Sequence, residues 1–130
     1  MLGRMSRVGE GARVLLGLIR LVNGTAAMVA PEPIGRRLGI EPEENPAASY
    51  VTRLFGIRTM LIGYDLLQRD PAIRERALRV APLIHVSDTA VAIAAGAAGK
   101  IPRKAAMTTS AISTTNTLLA LTARRSSRSA

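Results

Sequence analysis

Asp65, His85 and Asp88 carry the chemistry of proton transfer, and each lies inside an apolar stretch. Imidazole changes charge nearest neutrality, and a carboxylate three residues further along a helix is close enough to orient or charge it. His85 and Asp88 have that spacing. With Tyr64 next to Asp65, these groups are the candidates for acid–base chemistry or proton movement in a hydrated pocket, and Arg58 could stabilise developing charge. The alternative is that the same side chains fix the register of packed helices. An ionisable group at membrane depth is costly unless paired, so each needs a partner. Arg20, Arg53 and Arg58 are the cations at hand, and Asp88 is expected to accept from Arg53 or Arg58 across a helix interface. No residue is singled out as a catalyst with confidence. The lone His85 cannot make a zinc site, and the absence of cysteine removes thiolate ligands, thiol catalysis and disulfides. No metal or cofactor is implied.

The element that positions most of these groups is the stretch from Tyr50 to Asp70. At about 100° per residue, Val51, Leu54, Phe55, Arg58, Leu61, Ile62 and Asp65 share one face and Thr52, Gly56, Thr59 and Gly63 the opposite one. A charge pair on the greasier face is misplaced in water. Between membrane helices it is a polar lock beside a seam of small residues.

Composition points the same way. Apolar residues make up 48% of the chain but aromatics only 2%, so a water-soluble core would lack its usual large side chains. Membrane helices associate through Gly, Ala, Ser and Thr instead. At 130 residues the chain holds one domain. A net charge of +9 raises nucleic acid as a partner, but the arginines of the apolar helices stand singly and there is little aromatic surface for stacking. Nucleic acid is therefore not expected. A cleaved leader also fits poorly, because Arg20 interrupts the apolar run after Arg4 and Arg7.

In chain order, Ser6 is an N-cap for a first helix over about residues 8–29, ended by Pro31 and Pro33. Arg13, Gly17, Arg20 and Gly24 fall on one arc of it. Arg13 is expected to snorkel to the surface and Arg20 to be buried. A polar connection follows to Asn45, which with Pro46 should cap a second span over 46–68. Ala72 to Val80 reads as a short helix on the membrane surface, and Pro82 as a restart or kink that opens a third span over 82–99. Asp88, Ala92, Ala95 and Gly99 share a face of that span. A fourth follows over 102–123, then a basic, mobile tail over 124–130. Gly17 and Gly24 in the first helix echo Gly56 and Gly63 in the second, each pair seven residues apart. Gly17, Gly24, Gly56, Gly63, Ala92, Ala95 and Gly99 are the expected packing positions.

With Arg53-Leu-Phe-Gly-Ile-Arg58, Gly63, Ala30-Pro31 and His85-Val-Ser-Asp88 in view, the chain resembles a family of small, uncharacterised four-helix membrane proteins common in actinobacteria. The likeness runs from the first helix to about Gly99, with an Arg-x-x-Gly-x-Arg signature in the second helix and an acidic residue in the third. It implies location and architecture, and no activity. The expectation is an all-α, four-helix transmembrane bundle with a short interfacial helix before the third span. It would lie in the bacterial cytoplasmic membrane with both termini cytoplasmic, the side to which more arginines fall. Its partners would be lipid and other membrane helices, including copies of itself, as suits an accessory, scaffolding or assembly subunit without catalytic activity. A small intramembrane isomerase or cyclase, a proton-coupled carrier, and a soluble helical bundle are the alternatives.

Overall fold

The computed structural model describes residues 6–128, and every regular element among them is an α-helix. The five helices are α1 (Arg7–Val29), α2 (Pro31–Arg37), α3 (Pro46–Leu67), α4 (Pro71–Ala97) and α5 (Arg103–Arg128). Local chemistry sets their ends. The Ser6 hydroxyl accepts from Gly9 N at 3.1 Å, and the Asp70 carboxylate accepts from Ala72 N at 2.9 Å. Asn45 stands at the N-cap of α3 without a side-chain cap bond, so Pro46, with its φ already helical, marks that start. Gly39 (φ +81°) and Gly99 (φ +67°) end α2 and α4 in the left-handed region. Each sits in a Schellman turn, with Ile40 N donating to Gly35 O and Lys100 N to Ala95 O, both at 2.9 Å.

The longest interface runs between α1 and α3, and glycines set its depth. A methyl on Gly24 would sit 2.7 Å from the Gly56 carbonyl oxygen, and one on Gly56 would sit 2.8 Å from that of Gly24. Gly63 approaches Gly17 O in the same way, at 2.8 Å. The two glycines of α1 thus face the two of α3 in antiparallel register, backbone on backbone, at a separation no side chain allows. Equal seven-residue spacing on both helices makes both contacts possible at once.

α1 packs against α3 and α5, and α4 packs against the same two helices, so α1 and α4 occupy opposite corners of a four-helix square. Gly96 meets Ala106 where α4 turns into α5, and the Ser6 and Ser126 hydroxyls bond at 2.8 Å where α5 ends beside the start of α1. At that end lies the apolar core, built from Ala12, Leu16, Leu66, Ala77, Leu78, Ala81, Ala120 and Ala123. The short α2 caps the opposite end against α1 and α3. Beyond it, Arg36 bonds Glu43 at 2.8 Å, and Glu43's own backbone N–H together with that guanidinium holds its carboxyl below the usual range.

Three expectations need correction here. The surface helix over 72–80 and the span over 82–99 are one continuous helix with Pro82 inside it. Pro82 and Ala81 are buried, so packing against neighbouring helices keeps the segment helical through the missing backbone bond. Part of the 31–45 connection is helical. The tail does not leave the bundle at Ala123 but continues α5 to Arg128, while residues 129 and 130, like Arg4, lie outside the described residues.

If the glycine seam sets the α1–α3 distance, Gly24→Ala and Gly56→Ala should each lower stability by about 1–3 kcal/mol, because the added methyl meets backbone that cannot swing away. Gly17→Ala should cost less, since its nearest neighbours are Leu67 side-chain atoms. Gly11→Ala meets nothing and should be neutral or stabilising by up to about 1 kcal/mol. Thermal unfolding of the four variants tests this order, and equal losses at all positions would refute it.

Candidate functional site

At mid-height the square is bridged from corner to corner. Arg20 reaches from α1 to α4, where its Nη1 lies 3.0 Å from His85 Nδ1. Arginine has only donors, so Nδ1 accepts, and the imidazole is neutral with its proton on Nε2. Arg20 is 2% exposed and His85 0%. Helix geometry delivers both: Arg20 lies one turn beyond Leu16 on the buried arc of α1, and His85 one turn beyond Ala81 on that of α4.

A second bridge joins α3 to α4 nearer the surface. Arg58 Nη2 donates to both Asp88 carboxylate oxygens at 2.9 Å, and its guanidinium carbon lies 5.1 Å from the Phe55 ring centroid. This is the Asp88–Arg58 partnership that the sequence allows. Asp88 turns to Arg58 rather than to His85 three residues away, so the imidazole gains no carboxylate to orient it.

Around the inner bridge several polar atoms are buried without partners: Arg20 Nε and Nη2, His85 Nε2, Thr59 Oγ1 and Asn116 Oδ1. They come from four helices at one height. The register of the Gly17–Gly63 and Gly24–Gly56 contacts sets Thr59 of α3 level with Arg20, and that of Gly96 against Ala106 sets Asn116 of α5 level with His85. Arg58 and Asp88 cancel in charge. Arg20 remains a cation with a neutral histidine as its only hydrogen-bond partner among the described residues.

The other residues singled out in the sequence lie elsewhere. Arg53, Tyr64 and Asp65 are exposed on the outer face of α3, so they do not join Arg20, Arg58, His85 and Asp88 in a buried network. Asp65 is therefore no acid–base partner for His85. Arg13 does not snorkel: it is 5% exposed and donates to Glu10 and to the Leu66 carbonyl of α3. Gly17, Gly24, Gly56, Gly63 and Ala92 are buried at interfaces and Ala95 is half-buried. Gly99 is not a packing position, because it lies in the exposed turn after α4, and Gly96 makes the close contact with α5 instead. Thr59, Ser113 and Asn116 are the buried polar groups that the reading of charged residues missed. Their signal is positional. Thr59 shares the Gly56–Gly63 face, and Ser113, Asn116, Ala120 and Ala123 recur at helical spacing.

No known protein family, curated protein or solved structure matches the chain.

Removing either partner of the Arg20–His85 bridge leaves the other buried and unpaired, so His85→Leu should lower stability by about 1–3 kcal/mol. Adding Arg20→Met removes the stranded cation as well. The double variant should recover part of the loss, with a coupling of about 1 kcal/mol or more in a thermal-unfolding cycle. Strict additivity would mean that the two side chains do not interact.

Proposed function

We propose that this chain is a small multi-pass membrane protein of accessory, scaffolding or assembly type, whose outward face meets lipid and other membrane helices. The observation that carries the proposal is an inverted distribution of side chains. Large apolar residues lie outside: Val8, Leu15, Val22, Leu61, Leu83, Val91 and Leu118 are among many exposed ones. Inside, among the described residues, are Ala, Gly, Arg13, Arg20, Thr59, His85, Ser113 and Asn116, with only Leu16, Leu66 and Leu78 as large apolar members. Water selects against such a surface, whereas hydrocarbon favours it.

Two further observations support this reading. α1 and α4 are long and apolar enough to cross a membrane. On α4 and α5, the Ser87, Thr115 and Thr122 hydroxyls are exposed yet donate to carbonyls one turn back, at 2.7–2.9 Å. A hydroxyl satisfied by its own helix tolerates hydrocarbon. α3 and α5 complete the four spans in the proposed arrangement. The end of the bundle that holds Arg7, Arg69, Arg74, Arg76, Arg79, Arg124, Arg125 and Arg128 then faces the cytoplasm, with both termini there. This is the architecture that the sequence resemblance to actinobacterial four-helix membrane proteins implies. An assembly role is favoured over catalysis because Asp65 stands outside the bundle and Arg58 occupies Asp88, which leaves no acid–base pair facing a substrate.

Fractionation tests the reading directly. The expressed protein should stay in the membrane pellet through a carbonate wash and leave it only with detergent. Cysteines introduced at Ser127 and at Lys100, in a chain that has none of its own, should be blocked from and open to an impermeant maleimide on intact cells, respectively. Recovery in the soluble fraction would overturn the proposal.

A further inference from the structure

The polar atoms around the Arg20–His85 bridge share a chemical bias. Arg20 offers Nε–H and Nη2–H, His85 offers Nε2–H, and Thr59 offers its hydroxyl, all buried and all without an acceptor. Asn116 Oδ1 is the one unpartnered atom that can only accept, and a half-turn of its amide presents a donor in its place. Donors from three helices, and from a fourth with that amide turned, thus lie level with a guanidinium that no carboxylate hydrogen-bonds, and Asp88, whose charge reaches Arg20 only through space, is already paired with Arg58. We propose that they form a binding site for one small anion, an inorganic halide or a carboxylate of a few atoms, on the bundle axis between Arg20, His85, Thr59 and Asn116.

Charge and enclosure both argue for an anion. A water molecule could accept two of these hydrogen bonds but would leave the buried cation unbalanced. An anion satisfies the donors and the charge together, and in a low-dielectric interior both contributions strengthen. Enclosure limits its size. Leu16 and Ala81, both 0% exposed, close the site one turn toward the apolar core, and the Gly24–Gly56 contact closes it on the other side. The site does not depend on how the bundle sits in lipid. Donors, charge and enclosure belong to the interior.

The test is anion-specific stabilisation of the purified full chain, followed by circular dichroism on heating in sodium chloride, bromide or formate against gluconate at equal sodium concentration. The expected result is a saturable rise in unfolding temperature with the small anions and none with gluconate. Thr59→Val, which removes one donor and keeps the charge, should raise the half-saturating concentration about tenfold. Arg20→Gln should abolish the effect, and Arg53→Gln on the outer face should leave it unchanged. Bromide and chloride acting without formate would specify a halide site, and formate acting alone a carboxylate site; both support the proposal. Equal stabilisation by gluconate, or a half-saturating concentration unchanged in Thr59→Val, would overturn it, and the Thr59 variant decides even if Arg20→Gln does not fold.

Discussion

The close approach of α1 and α3 is the contact on which the other features of the bundle depend. Where Gly24 faces Gly56 and Gly17 faces Gly63, two backbones touch with no side chain between them. Their separation is set by main-chain van der Waals radii and not by the shape of a packed core. Carbonyl oxygens pressed against opposing α-carbons also allow weak C–H···O contacts, each small and repeated along the seam. That distance lets Arg13 reach the Leu66 carbonyl, and the same register sets Thr59 level with Arg20. Because α1 and α4 lie on a diagonal, Arg20 and His85 must be long enough together to span the axis, which a smaller pair could not do.

The interior is layered along that axis. Alanines and leucines fill the end where the arginines gather, the Arg20–His85 bridge with Thr59 and Asn116 occupies the middle, and glycines and alanines meet at the end covered by α2. Only the first layer resembles a water-soluble core. The middle layer is tied by the single Arg20–His85 hydrogen bond and the last by backbone proximity. Such an interior buries few large side chains, so little of its cohesion can come from expelling water. The Arg58–Asp88 pair adds a link at the α3–α4 interface, where the two helices otherwise touch less than their neighbours do.

Much of this was readable from residue spacing. The seven-residue glycine repeats, the burial of Arg20 on α1, the Ser6 cap and the Asp88–Arg58 pairing all follow from periodicity and local chemistry. What was not readable depended on neighbours. Proline in a helical pattern signals a break, but Pro82 is buried in the bundle and the helix continues through it. Arg13 near a helix start suggests snorkelling, and only the Leu66 carbonyl of another helix gives it a reason to turn inward. A helical wheel separates two faces of α3 without saying which one is covered. The small-residue face went inward and carried Thr59 with it, leaving Arg53, Tyr64 and Asp65 outside. Charge drew attention to the site's cations, whereas Thr59 and Asn116, which complete it, are uncharged.

The glycine seam also limits how the sequence can vary. When a larger residue appears in an ordinary core, its neighbour can shrink to make room, so drift proceeds by paired exchanges. Gly24 and Gly56 offer no such route, because each faces a residue already at the minimum of the amino-acid alphabet. Accommodation then falls to the helices themselves, and moving α1 away from α3 carries Arg20 with it and shifts it relative to His85 on the opposite corner. Four hydrogen atoms standing where side chains would be therefore link the history of the seam to that of the buried cation.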